Sequence, residues 1–104
     1  GVVIFIDEYG ANDRMEISVG VTPEGKIAKL DLWQHSEDKR VAQADFLRQF
    51  MGEKHGDSLE ADKGFQPVKG AERASRAVAR AARKALAIID AVYGKPKDSK
   101  PEEK

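Results

Sequence analysis

The chain has 104 residues, of which 40% are hydrophobic and 35% charged, a balance typical of one small folded domain. Its formal net charge is zero, so the overall charge does not favour binding to nucleic acid. The absence of cysteine excludes disulfides, zinc–thiolate sites and a catalytic thiol. No apolar run approaches the roughly 20 residues of a transmembrane helix, and the start at Gly1 is expected of an excised domain or a processed product.

The N-terminal third of the chain predicts three short strands. Residues 2–6 are all β-branched or aromatic, which predicts a strand buried on both faces. Residues 15–21 alternate between apolar and polar side chains and predict a strand with one solvent-exposed face. A third strand is predicted over residues 27–33, although its alternation slips at Ala28 and Lys29. Because short turns connect the three strands, we expect an antiparallel meander.

The spacing of apolar residues becomes helical after residue 40. Residues 41–51 carry an apolar stripe that predicts a helix, and Gly52 is expected to end it. Residues 53–66 are polar and interrupted by glycine, with Leu59 and Phe65 as the expected anchors to the core. This segment has room for a short fourth strand.

An alanine-rich second helix is predicted from about Glu72 to Val92. Its expected apolar face comprises Ala74, Val78, Ala81, Ala85, Ile88, Ile89 and Val92. Arginines three, four and three residues apart form another face, and these are Arg73, Arg76, Arg80 and Arg83. We refer to these four residues as the arginine face.

Together these elements predict one α+β domain over residues 1–93, with two helices packed on an antiparallel sheet of three or four strands. Residues 94–104 are rich in proline and charge and contain no apolar anchor. We therefore predict that they form a disordered tail.

The segment in front of the long helix is the clearest candidate for a binding site. Gly70 predicts a turn directly before the helix. The first residues of a helix leave backbone N–H groups unpaired and carry partial positive charge, so a helix start suits an anionic group such as phosphate. The sequence therefore predicts an anion site at this glycine turn.

Four short segments carry a resemblance to a known family. They are Gly-Lys-Ile at residues 25–27, His-Ser-Glu at 35–37, Phe-Leu-Arg-Gln-Phe at 46–50 and Lys-Gly-Ala-Glu-Arg-Ala-Ser at 69–75. Their order and spacing resemble those of the FMN-binding domain family. This family includes the flavin-carrying subunits of the sodium-pumping NADH:quinone oxidoreductase and of the Rnf electron-transport complexes. The resemblance covers about residues 16–89.

The last of these segments departs from the family pattern, which reads Ser-Gly-Ala-Thr-x-Thr-Ser. Lys69 and Glu72 stand where the family has a serine and a threonine, and Ser75 is the hydroxyl residue that remains. Ala74 stands for the threonine that carries flavin through a phosphoester in the covalent members. Because alanine has no side-chain oxygen, covalent attachment at this position is chemically excluded. A carboxylate at position 72 repels phosphate, an effect that neighbouring cations offset.

The resemblance implies a non-covalent FMN site with the phosphate at the glycine turn. Its predicted cofactor-binding residues are Lys69, Gly70, Ala71, Arg73, Ser75 and His35. The isoalloxazine ring is expected to lie against the sheet near Trp33. The flavin would perform the redox step, since the sequence contains no persuasive catalytic constellation of its own.

The resemblance also implies a cellular setting. Related proteins work in electron transfer, so we expect an electron-transfer or redox-regulatory protein that is extracytoplasmic, such as periplasmic, or membrane-associated. A redox partner or a membrane-protein partner is expected in such a setting. These expectations follow from the family alone.

A cofactor-free interaction or sensor module that retains the fold is the alternative. Residues 1–68 carry a net charge of −5 and residues 69–93 a net charge of +4. The arginine face then either meets an acidic partner or an anionic surface, or is a solvated face paired with local acids. Nucleic acid is disfavoured as a partner because no aromatic residues are interleaved with the arginines.

Two further classes of site find little support in the sequence. His35 and His55 are 20 residues apart and match no metal-ligand spacing, and nothing in the spacing indicates a haem held by histidine and Met51. A hydrolytic pair of His35 with Ser36 or Ser75 lacks the sequence of a nucleophile elbow.

Overall fold

The computed structural model describes residues 1–10, 14–34, 37–56 and 64–93, with the side chains of Gln34 and Tyr93 left aside. Three strands form one antiparallel sheet in the order β1 (Val2–Tyr9), β2 (Arg14–Val21) and β3 (Ile27–Gln34). The predicted meander is therefore confirmed. Since β1 and β3 both run antiparallel to β2, they are parallel to each other and terminate at the same end of the sheet.

The prediction that residues 2–6 are buried on both faces is wrong. β1 is an edge strand of the sheet, and its residues 2–7 alternate between half-buried and exposed. Val3, Phe5 and Tyr9 point away from the core, and Phe5 is 69% exposed. The physical reason is that the helical elements cover one face of the sheet, so an apolar residue on the other face of β1 stays in water.

The centre of the sheet supplies the core. Met15, Ile17 and Val19 of β2 are fully buried, as the alternating pattern predicts. The slip predicted in the third strand is confirmed as a bulge. Val21 pairs with Ile27 while Gly20 pairs with Lys29, so Ala28 is the extra residue.

The helix predicted over residues 41–51 is broken into three short pieces. A 3₁₀ turn (Lys39–Ala42) is followed by α1 (Ala44–Leu47) and a second 3₁₀ turn (Arg48–Phe50). Gln43 is extended between the first two pieces, with φ −87° and ψ 153°. Tertiary packing explains the irregular backbone, because the aromatic rings of this segment enter the core.

Three phenylalanines form an aromatic cluster beneath these short helices. The ring centroids of Phe46 and Phe50 are 5.5 Å apart, and Phe65 lies 5.3 Å from Phe50. Phe65 is buried, which confirms its predicted role as an anchor. Leu59, the other predicted anchor, lies outside the described residues. Gly52 ends the segment with φ +83°, as expected of a glycine stop.

The long helix α2 (Glu72–Tyr93) matches its prediction and packs on β1 and β2. Ala74, Val78, Ala81, Ala85 and Ile89 are buried as predicted. Ile88 and Val92 are 45% and 64% exposed, so their assignment to the apolar face is wrong. The buried stripe instead includes Ala82 and Leu86. Together with Ile89 they follow the spacing of four and three residues that places side chains on one face of a helix.

α2 runs antiparallel to β1 and β3. Arg80 contacts Glu8 and Tyr9 near the end of β1. Asp90, farther along α2, contacts His55 in the segment that pairs with the start of β3. The start of α2 therefore lies near the end of the sheet at which β1 and β3 terminate.

The arrangement is the predicted α+β class, with three strands within the described residues. None of the helices described in residues 1–93 is both long enough and apolar enough to cross a bilayer. The tail predicted to be disordered, residues 94–104, lies outside the described residues.

Candidate functional site

The turn before α2 has the shape that the sequence predicts. Gly70 adopts φ +88°, a left-handed conformation that favours glycine. The N–H of Ala71 donates to the carbonyl of Val68 at 2.9 Å and closes the turn. A Cβ at Gly70 would meet the Arg40 Nη2 at 3.7 Å and would otherwise point into open space. The space beside the Cα of Gly70 is therefore open.

Ser75 holds this loop against the first turn of α2. Its side chain is fully buried. The hydroxyl accepts a hydrogen bond from the N–H of Val68 at 2.9 Å and donates one to the carbonyl of Ala71 at 2.8 Å. Direct contact between this hydroxyl and a phosphate would require the loop to open, so in this structure Ser75 acts through the backbone that it fastens.

Glu72 occupies the amide at which the sequence predicts an anion. Its Oε2 accepts a hydrogen bond from the Gly70 N–H at 3.1 Å. This bond and a second one from its own N–H lower the pKa of the Glu72 carboxyl, outweighing the small opposing effect of burial. The nearby charges of Arg76 and Lys69 act in the same direction. The helix start therefore already binds an anionic oxygen, supplied by the chain itself.

Arg40 is a contributor to the loop that sequence reasoning missed. Its Nη2 donates to the carbonyl of Lys69 at 3.1 Å, across 29 positions of the chain. The same guanidinium binds the carboxylate of Asp38 with distances of 3.0 and 2.7 Å. Hydrogen bonds from the side chain and backbone of Arg40 lower the pKa of Asp38 to about 2. No local sequence signal links Arg40 to the loop, because tertiary folding creates the contact.

The predicted phosphate-binding cations lie at the loop and the first turn. Lys69 and Arg73 are both exposed, as is Arg76 one turn of helix later. With Gly70, Ala71 and Ser75, they form one continuous cluster at the start of α2. His35, the sixth predicted residue, lies outside the described residues.

Trp33 lies on the face of the sheet that α2 leaves open. Its Nε1 donates to the Oγ of Ser18 at 2.8 Å, and the residue is 61% exposed. Ser18 alternates with the buried Ile17 and Val19, so its side chain points away from α2. Phe5 pairs with Ser18 in the ladder and lies beside it on this open face. The start of α2 and Trp33 thus share one end of the sheet but lie on opposite faces.

A groove of about 420 Å³ lies between β3 and the α1 segment. Its lining includes Leu30, Leu47, Arg48 and Met51. None of the predicted cofactor residues in the described part of the chain lines it. The groove is therefore separate from the loop before α2.

Part of the arginine face is engaged in the fold. Glu8 has a side chain only 6% exposed, and its Oε1 accepts a hydrogen bond from Arg80 Nε at 3.0 Å. Lys84 forms an ion pair with the other oxygen of the same carboxylate. Burial raises the pKa of Glu8, but the hydrogen bonds from Lys84 and Arg80 outweigh it and leave the pKa below its ordinary value. Arg80 is thus paired with a local acid, whereas Arg73 and Arg76 remain at the loop.

Comparison with protein families gives the identity of the domain. The sequence matches the FMN-binding domain over residues 10–87, which covers β2, β3, the short helices and most of α2. No curated protein matches the chain significantly. The family match extends through the glycine turn and the cluster of cations at the helix start. The chain therefore belongs to the FMN-binding domain family, and FMN is its cofactor.

Proposed function

We propose that this domain binds FMN non-covalently and serves an electron-transfer or redox-regulatory protein. The flavin supplies redox chemistry when it is bound, and the protein supplies position and electrostatics. Ala74 supports non-covalent binding, because it is buried and has no oxygen at the position where the covalent members carry flavin. The proposed cofactor residues are Lys69, Gly70, Ala71, Arg73, Ser75 and His35.

The observation that carries the proposal is the match to the FMN-binding domain family, which extends through the glycine turn. In this turn the Gly70 N–H donates to the Glu72 carboxylate at 3.1 Å, so the amide is oriented toward an anionic oxygen. A phosphate oxygen fits the same position when the carboxylate turns away, which an exposed side chain does without disturbing the core. The residues present at the loop therefore fit the phosphate of FMN.

Each residue of the loop has a distinct role in this proposal. Gly70 presents its N–H, and its lack of a Cβ leaves the approach open. Lys69 and Arg73 neutralise the phosphate charge, with Arg as the geometrically stricter partner. Ser75 and Arg40 keep the loop in shape from opposite sides, one from the buried turn and the other through the Lys69 carbonyl.

We further propose that the parent protein works in an extracytoplasmic or membrane-associated setting with a redox partner. The support for this proposal is the likeness of the sequence segments to those of flavin-carrying subunits in membrane complexes.

One observation favours the alternative of a cofactor-free interaction or sensor module. The Gly70 N–H is already satisfied by Glu72, so the loop is stable without a ligand. Arg80 and Lys84 are likewise satisfied by Glu8. A module that had lost its flavin would keep these internal bonds.

Titration with FMN and with riboflavin, which lacks the phosphate, tests the proposal. We expect FMN to bind more tightly than riboflavin, measured by flavin fluorescence anisotropy. The double variant Lys69→Ala/Arg73→Ala should weaken FMN binding roughly tenfold, because it removes two charged contacts to phosphate, and should leave riboflavin binding unchanged. Arg83→Ala is the matched control, since it removes a cation from the same helix away from its start.

The outcomes separate the two functions. FMN that is released when the protein is denatured supports non-covalent binding, whereas flavin retained on the unfolded chain contradicts it. No change in flavin fluorescence at tens of micromolar FMN overturns flavin binding by this domain and leaves the interaction module.

A further inference from the structure

We propose that Glu72 is an internal competitor for the FMN phosphate. It weakens the binding of FMN without affecting that of riboflavin, and so reduces the preference of the site for the phosphorylated flavin. The inference rests on the proposed function, because it concerns the same loop. It adds a specificity-determining role to a residue that does not itself contact the cofactor in the bound state.

The geometry makes the two anions mutually exclusive. The Gly70 N–H donates to Glu72 Oε2 at 3.1 Å, and one N–H directs its hydrogen at one acceptor. A phosphate oxygen at the same N–H would lie within about 4 Å of the carboxylate. At that distance two negative charges repel strongly unless one of them leaves. Phosphate therefore binds only when Glu72 has left the amide.

The rest of the loop does not depend on Glu72. Ser75 fastens it through Val68 and Ala71, and Arg40 fastens it through the Lys69 carbonyl. The Ala71 N–H is bonded to Val68 in the same turn. When the carboxylate turns away, these bonds remain, so the loop keeps the shape that presents the amide. The competition is confined to one exposed side chain.

The local charges make the competition effective. Lys69 and Arg76 attract the Glu72 carboxylate to the helix start, and they would attract a phosphate equally. The FMN phosphate must therefore displace the Glu72 carboxylate, whose charge these cations already neutralise. This lowers the apparent affinity by the fraction of molecules in which the amide is occupied. Riboflavin has no group for this position and does not face the competitor.

The test compares the full chain with Glu72→Gln, which keeps the size of the side chain but removes its charge, and with Glu72→Ala, which frees the amide. Glu24→Gln is the matched control, because it removes the same charge from an exposed turn between β2 and β3. Dissociation constants for FMN and riboflavin are measured by anisotropy for all four proteins. We expect FMN to bind roughly fivefold more tightly, or better, to both Glu72 variants, about what one unit charge at 4 Å is worth in water. Riboflavin binding and the Glu24→Gln control should not change.

A second readout needs no flavin. The melting temperature of each protein is measured with and without inorganic phosphate at constant ionic strength. Glu72→Ala should melt below the parent in phosphate-free buffer because it lacks the internal anion. Inorganic phosphate should raise its melting temperature more than that of the parent, since the amide is free to bind it.

The outcomes distinguish this inference from the proposed function. If the parent binds FMN and the variants bind it no more tightly, Glu72 is only a stabilising cap and the inference is wrong. An equal gain for riboflavin also overturns it, because the effect would then not involve the phosphate. If no protein binds FMN, the proposed function fails, and the phosphate-dependent melting decides the inference: an equal response of Glu72→Ala and parent overturns it. Should Glu72→Ala fail to fold, Glu72→Gln carries the same comparison.

Discussion

Two side-chain oxygens at the start of α2, those of Ser75 and Glu72, differ in burial and therefore in how readily their hydrogen bonds to the loop can be exchanged. The Ser75 hydroxyl is fully buried and uses both of its hydrogen-bonding capacities within the loop. The Glu72 carboxylate is exposed and binds the same loop from the solvent side. A buried hydrogen bond is costly to break, whereas an exposed one exchanges readily with water or ligand. Ser75 therefore maintains the loop, and Glu72 can leave it.

Among the charged residues that the structure describes, Glu8 is the most deeply buried, so its loss should matter most for stability. Glu8→Gln replaces a nearly buried carboxylate that binds Arg80 and Lys84. We expect a loss of roughly 1–2 kcal/mol in the free energy of unfolding, since both cations are partly exposed and regain water. Urea denaturation at neutral pH measures it. Asp7→Asn is the control, because the Asp7–Arg14 pair at 3.4 Å is exposed on both sides and should cost less than about 1 kcal/mol.

The contribution of Glu8 should depend on pH in a defined direction. Its pKa in the folded protein lies below the ordinary value of 4.5, so the stabilisation is present above that value. It is lost as the pH falls through the lower folded pKa, where the carboxylate is protonated. The difference in stability between the parent and Glu8→Gln should therefore shrink in acid. A difference that stays constant from neutral pH down into this range would show that the effect is not electrostatic.

At the scale of elements, the main interface of the fold is the packing of α2 on β1 and β2. Its buried residues are mostly alanines, and small side chains allow the helix axis to approach the strands closely. Such an interface has little free volume, so it tolerates neither a larger side chain nor an unpaired charge.

Ala81→Arg tests this interface. Ala81 is fully buried against the sheet, and an arginine there buries a charge without a partner. We expect destabilisation of at least about 3 kcal/mol, seen as a lower midpoint of thermal or urea unfolding. Ala87→Arg makes the same substitution at an exposed position of α2 and should change stability by less than about 0.5 kcal/mol. Equal melting of Ala81→Arg and the parent would show that this face of the helix is assigned wrongly.

At the scale of the whole molecule, the two parts of the expected flavin site lie on opposite faces of the sheet. The loop before α2 lies on the covered face, and Trp33 and Phe5 lie on the open one. Both the loop and Trp33 are near the end of the sheet where β1 and β3 terminate. A cofactor that contacts both must therefore pass over this end of the sheet.

The single tryptophan of the chain reports on that path. If the isoalloxazine ring lies against Trp33, FMN should quench the tryptophan emission strongly and protect it from acrylamide. Trp33→Phe retains an aromatic surface and should bind FMN within a few-fold of the parent. FMN binding that leaves Trp33 fully accessible to acrylamide would instead favour a ring position elsewhere, such as the groove between β3 and α1.

Much of the fold follows from local patterns. The apolar positions of β2 and the slip at Ala28 agree with the structure. The helical spacing of α2 agrees at five of its seven predicted apolar positions but not at Ile88 and Val92, which are exposed. The errors occur where neighbours in space outweigh local preference. Residues 2–6 read as fully buried because apolarity does not reveal that one face of the sheet stays open. Residues 41–51 are predicted as one helix because the spacing of apolar residues does not show how Phe46 and Phe50 pack in the core.

The candidate site divides in the same way. Gly70 and the cations around it are visible in sequence, because a positive φ demands glycine and a helix start attracts charge. The partners of that loop were not visible. Arg40 reaches it across 29 positions, and the same fold buries Ser75 while leaving Glu72 at the surface. Local residue order encodes backbone conformation through short-range sterics, whereas burial and long-range hydrogen bonds exist only after distant segments pack together.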